Sequence, residues 1–172
     1  MCIRDRSHPA DEMGKRMIQD LVRFTDDPQV RHRIVFLPNY DIAMARVLFP
    51  GCDVWLNNPL RPLEACGTSG MKAAINGGLN LSVLDGWWDE MYDGQNGWAI
   101  PTADNKAGTD ERDDIEAAAL YELIESHVAP RFYGDGSEDA TTAAGPDTAP
   151  SRASTVPHQW LAMVRHTLAT LG

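Results

Sequence analysis

Lysine is the scarcest charged residue of this chain: only Lys15, Lys72 and Lys106 occur in 172 residues. Bases are short overall, 15 against 25 acids, for a net charge of −10. That shortage argues against a nucleic-acid or anionic-membrane partner, either of which calls for a basic face. Cysteine is almost as rare. Cys2, Cys52 and Cys66 are widely spaced and form no CxxC, which argues against a disulfide or zinc framework and suits a reduced, cytoplasmic chain. No apolar run reaches the roughly 18 residues of a membrane-spanning helix. The start, MCIRDRS, is charged and lacks the apolar core of a signal peptide. His8, His32, His127, His158 and His166 show no ligand spacing, so no metal is assigned. No internal repeat stands out. A hydrophobic fraction of 43% is ordinary for a globular domain, and this length can bury one good core.

The pattern predicts helices alternating with short strands. Asp11–Phe24 has apolar Met13, Met17, Leu21 and Phe24 at helical spacing. Arg33–Leu37 is a continuous apolar run, as in a strand buried on both faces. Asp41–Leu48 reads as a short helix, Cys52–Leu56 as a strand, Gly67–Ile75 as a helix and Leu79–Leu84 as a strand. Asn96–Ile100 is a fourth short strand, Asp110–Tyr133 a long helix that opens on acids, and Gln159–Leu171 another helix. Such alternation predicts an α/β fold, a Rossmann-like parallel sheet with flanking helices. Ligands bind such sheets at the carboxyl ends of the strands. Residues 134–157 hold almost no large apolar side chain, and are expected to be a flexible acidic insertion.

Leu63–Asn80 carries the densest chemistry. Lys72 lies in a small, apolar run with Gly70, Met71, Ala73, Ala74 and Ile75. A lysine there is expected to be half-desolvated, which lowers its pKa and favours the neutral amine that forms a Schiff base. Gly67 and Gly70 let backbone N–H groups approach an anion. Taken alone, the same residues also describe a surface lysine on an ordinary amphipathic helix.

Three blocks in order decide between those readings. They are Val35-Phe36-Leu37-Pro38-Asn39-Tyr40; Glu64-Ala65-Cys66-Gly67-Thr68-Ser69-Gly70-Met71-Lys72 followed by Asn76-Gly77-Gly78-Leu79; and Leu84-Asp85-Gly86. They resemble the α-glucan phosphorylases, the short prokaryotic form most closely, whose motifs read V-x-F-L-x-N-Y and E-A-[SC]-G-T-x-x-M-K. The resemblance covers residues 9–130.

It implies part of the C-terminal domain of a GT-B fold and transfer of a glucosyl unit from an α-1,4-glucan to inorganic phosphate, giving α-glucose 1-phosphate. It implies pyridoxal 5′-phosphate on Lys72, the residue carried over as catalytic, with Gly67, Thr68, Ser69 and Tyr40 around the cofactor phosphate. Glu64, Cys66 and Gly67 would hold the glucosyl ring. Ser69 and Gly70 depart from the family's usual glycine and asparagine. A homo-oligomer of the full-length protein is compatible with the resemblance. Allosteric control is not expected.

Other readings remain for single residues. Glu64 also suits a helix start, Cys66 a small buried residue, Tyr40 the opening of a helix, and Trp87-Trp88 either sugar stacking or packing of a loop on the core. A nucleotide-sugar glycosyltransferase of the same fold, which needs no lysine at position 72, and a non-catalytic sugar- or phosphate-binding module are the competing functions. Residues 1–7 resemble a translated sequencing adapter and are expected to be a non-native leader. The expected divisions are therefore 1–7, 8–133, 134–157 and 158–172. The strand and glycine–lysine pair that precede His8 in the family are expected to be missing, and the piece alone is expected to be inactive.

Overall fold

The computed structural model describes residues 1–4, 9–64, 66–102, 109–134 and 156–172. The chain divides into two compact units, Met1–Leu48 and Phe49–Gly172.

The first unit holds strand β1 (Cys2–Arg4), helix α1 (Glu12–Thr25), strand β2 (Val35–Leu37) and helix α2 (Ile42–Leu48). The Asp11 carboxylate accepts the Gly14 N–H at 2.9 Å and starts α1. Asp41 does the same for α2, accepting from Met44 N at 2.8 Å. β1 and β2 run parallel, with Cys2 opposite Val35 and Arg4 opposite Leu37. So a strand does precede His8, and it comes from the segment expected to be a leader. Where the alternation predicts a single sheet, the described residues form two: β2 pairs with β1, and the later strands pair among themselves.

The second unit contains β3 (Val54–Asn57), α3 (Thr68–Ala74), β4 (Leu79–Val83), α4 (Trp87–Met91) and β5 (Gly97–Ile100). After them come α5 (Thr109–Leu123), a π-helical turn (Ile124–Val128), α6 (Ala129–Tyr133) and α7 (His158–Leu171). The long helix expected over 110–133 is thus interrupted by one wide turn. The short α4, not expected from the sequence, follows Gly86 at φ 56°. The flexible insertion expected over 134–157 lies almost wholly outside the described residues.

β3, β4 and β5 form a parallel three-stranded sheet in the order β3-β4-β5. β4 is central and wholly buried. Its Leu79, Leu81 and Val83 join Trp98, Ile100, Val128 and Trp160 in the core, with Leu120, Leu123, Phe132 and Met163 packed against them. Asn80 and Ser82 alternate with those residues and are buried as well. The Asn80 amide donates to Gly70 O at 3.2 Å and so ties α3 to the sheet. α7 is anchored to the unit where buried Thr167 Oγ1 donates to Asn96 O at 3.1 Å.

Candidate functional site

The glycine turn lies where parallel strands discharge their loops. One loop leaves β3 and runs to Gly67; the other leaves β4 and runs from Leu84 to Gly86. The two are joined by hydrogen bonds. Glu64 N donates to Asp85 Oδ2 at 2.9 Å, and Trp87 N donates to Cys66 O at 3.0 Å. Asp85 Oδ1 also accepts from Gly86 N at 3.0 Å.

Gly67 caps α3 in the left-handed region, φ 82°, ψ 42°. Only glycine occupies that region without strain. A side chain there would also meet the Trp87 ring at 3.0 Å. Gly67 O accepts from Gly70 N at 3.0 Å, which closes the first turn. Gly67 offers no side-chain acceptor to the N–H groups ahead of Gly70 at the helix start.

α3 divides cleanly. Gly70, Ala73 and Ala74 are buried against the sheet. Thr68, Met71, Lys72 and Ile75 lie on the opposite face, following the three-and-four spacing of one helical face. All four are exposed. The Thr68 hydroxyl and Lys72 ammonium therefore stand one turn apart on the same side. This corrects the expected half-desolvation of Lys72. Its small neighbours in sequence are turned inward by the 100° step of the helix, whereas Lys72 is turned outward. Cys66 is exposed rather than buried, with Sγ 4.0 Å from Met71 Sδ. Glu64, Gly67 and Ser69 are half-buried. Among the described residues neither the Lys72 ammonium nor the Glu64 carboxylate has an ion-pair partner.

Six of the residues singled out in the sequence, Glu64, Cys66, Gly67, Thr68, Ser69 and Lys72, thus share one loop and helix start in the second unit. Tyr40 belongs to the first unit, half-buried just ahead of α2.

The adjacent tryptophans part company. Trp88 is only 1% exposed, and its Nε1 donates to Trp98 O at 3.4 Å. It is a core residue. Trp87 is half-buried, and its ring lies where side chains on Gly67 and Gly70 would be. Trp87 is therefore the floor of the glycine turn, as is Asn80 from the sheet. Sequence reasoning missed both contacts. The signal available was Gly70 itself, since a glycine inside a helix implies a close neighbour.

A separate cavity of about 440 Å³ is lined by Tyr92, Trp98, His127, Arg131, Met163 and His166, among others, and none of the candidate site residues reaches it. At its rim Asp93 Oδ2 lies 2.6 Å from His166 Nε2. Partial burial alone would raise the Asp93 carboxyl. The His166 bond and the N–H groups of Gln95 and Asn96 outweigh that and hold it below the usual carboxylate range. Among the described residues no group of three or more His, Cys, Asp or Glu is placed to hold a metal. Among them, too, no helix is long and apolar enough to cross a membrane.

Comparison with known proteins bears on the same region. Residues 2–95 match the family model of the carbohydrate phosphorylases. All 172 residues align with a glycogen phosphorylase of Mycobacterium tuberculosis at 60% identity, covering 18% of that protein. A glycogen phosphorylase of Aquifex aeolicus is 49% identical over 74% of the chain, which covers 18% of the relative. A maltodextrin phosphorylase of Thermococcus litoralis is 47% identical over 74% of the chain, covering 15% of its length. The chain therefore spans under a fifth of the length of these relatives, and the family match includes the loop, the glycine turn and α3. The chain belongs to the carbohydrate phosphorylase family.

Proposed function

We propose that this chain is part of the C-terminal, GT-B-type domain of an α-1,4-glucan phosphorylase, a cytoplasmic enzyme that cleaves glucan with inorganic phosphate to give α-glucose 1-phosphate. The observation that carries the proposal is the outward face of α3. It presents an amine and a hydroxyl, Lys72 and Thr68, one turn apart beside a glycine cap that carries no side-chain acceptor. That donor set fits pyridoxal 5′-phosphate, whose aldehyde requires a primary amine and whose phosphate requires hydroxyl and N–H donors. When bound, the cofactor supplies a phosphate with a second pKa of about 6, able to give and take a proton near neutrality.

The chain's own groups then have distinct tasks. Lys72 Nζ attaches the cofactor. Thr68, Ser69 and the N–H groups around Gly67 accommodate its phosphate. The Glu64 carboxylate accepts hydroxyls of the glucosyl ring and orients it, with Cys66 and Gly67 beside it. Tyr40 keeps a proposed role at the phosphate on the family resemblance alone. Desolvation of Lys72 is assigned to parts of the enzyme outside this chain. Catalysis needs phosphate, glucan and cofactor in one water-poor cleft, so the 172-residue chain alone is expected to give no glucose 1-phosphate.

Borohydride reduction of the cofactor-loaded full-length protein, followed by peptide mapping, tests the assignment. The pyridoxyl label is expected on Lys72, and Lys72→Ala is expected to lose cofactor retention. A label on Lys15 or Lys106 instead sinks it.

A further inference from the structure

Asp85 lies in a family-like motif, Leu84-Asp85-Gly86, to which the proposed chemistry gives no task. Its carboxylate bridges two loops. Oδ2 accepts from Glu64 N at 2.9 Å, 21 residues away, and Oδ1 accepts from Gly86 N at 3.0 Å. We infer that Asp85 is a positioning residue for Glu64: it sets where the residue proposed to hold the glucosyl ring stands relative to the glycine turn. The inference rests on the proposed role of Glu64.

Three observations support it. The Glu64 loop leaves the end of β3 and has no helix or strand between Asn57 and Thr68 among the described residues, so a few cross-loop bonds determine its place. The bond to Asp85 has a carboxylate acceptor, which makes the stronger kind of hydrogen bond, and at 2.9 Å it is tighter than the loop's ion pair between Arg61 and Asp89 at 3.9 Å. Second, the turn after β4 fits closely beneath the loop. A side chain on Gly86 would come within 2.9 Å of Cys66 O and 3.2 Å of Glu64 Cγ, and Gly86 sits at φ 56°. Third, the same turn continues into Trp87, whose N–H donates to Cys66 O and whose ring underlies Gly67 and Gly70. A purely local turn-forming aspartate would need only the Gly86 bond. The bond to Glu64 is the one that reaches the site.

The test combines amide hydrogen exchange and kinetics on the full-length protein, in Asp85→Ala and the milder Asp85→Asn. Asp85→Ala is expected to speed exchange at the Glu64 amide by about tenfold or more, with Leu81 exchange and cofactor content unchanged. kcat should fall by about tenfold or more, while KM for phosphate holds. Asp85→Asn retains one acceptor oxygen and should restore part of both. Unchanged Glu64 exchange in Asp85→Ala overturns the inference. So does a loosened loop with full kcat in an enzyme where Glu64→Gln is slow. Full activity in Glu64→Gln would instead remove the sugar-binding role of Glu64, and the exchange result would still decide whether Asp85 holds that residue in place.

Discussion

The two faces of β4 are built on opposite principles. On one, Leu79, Leu81 and Val83 meet Trp98, Val128, Trp160 and the helices after residue 108. Large apolar volumes fill that space, and burial is the source of stability. On the other, Asn80 and Ser82 alternate with them, and Asn80 meets glycine and backbone. Gly70 lets α3 approach until a side chain there would lie 2.7 Å from Asn80 Oδ1. Gly97 likewise leaves room for the Trp88 ring. The first face stabilises without placing any particular atom. The second places the glycine turn and gives up apolar area to do so.

Substitution should separate the two. Leu81→Ala opens a cavity among residues that are almost fully buried. It should cost about 2–5 kcal/mol, measured by denaturant unfolding, with little change at the turn if the protein stays folded. Gly70→Ala should cost less, about 1–3 kcal/mol for overpacking against Asn80 and Trp87, yet perturb cofactor binding more than Leu81→Ala does. If Gly70→Ala melts like the parent and binds cofactor normally, the close approach of α3 to the sheet is not a constraint.

Smaller effects sharpen the contrast at the surface. Asp93 and His166 form a partly exposed pair worth at most about 1 kcal/mol. The folded Asp93 carboxyl is held below its ordinary pKa, so its contribution is present above the ordinary carboxylate range and is lost as pH falls through the depressed value. Asp93→Asn should therefore lower melting temperature slightly at neutral pH, and that difference should close in acid. A gap that widens in acid would mean that folding raises the Asp93 carboxyl instead of lowering it. Lys72→Ala should change stability least, within about 0.5 kcal/mol, because the side chain is exposed. Thermal melting of the cofactor-free variant checks this. A large loss would mean that Lys72 supports the fold rather than standing ready for a ligand.

Much of this molecule was legible in advance. The strands at 79–83 and 97–100 and the helices at 12–25, 42–48 and 158–171 stand within a residue or two of the apolar patterns that announce them. Gly67, Asn76, Gly77 and Gly78 bound α3 because turns and caps are local chemistry. Less was legible where long-range contacts decide. The wide turn at Ile124–Val128 breaks a helix whose pattern is continuous, and α4 is five residues that begin with two tryptophans. Neither has a local signature strong enough to compete with its neighbours.

By itself the sequence determined the family, the order of most elements and the cluster of Glu64, Gly67, Thr68 and Lys72, since these depend on residue types at fixed short spacings. Only the tertiary structure decided which side of α3 faces outward, that Trp88 is core while Trp87 floors the turn, that β2 pairs with β1, and that Asp85 reaches across 21 residues to Glu64. Those outcomes depend on which surfaces meet when the strands pair. That pairing is set by burial summed over the whole unit, which no single stretch of sequence contains.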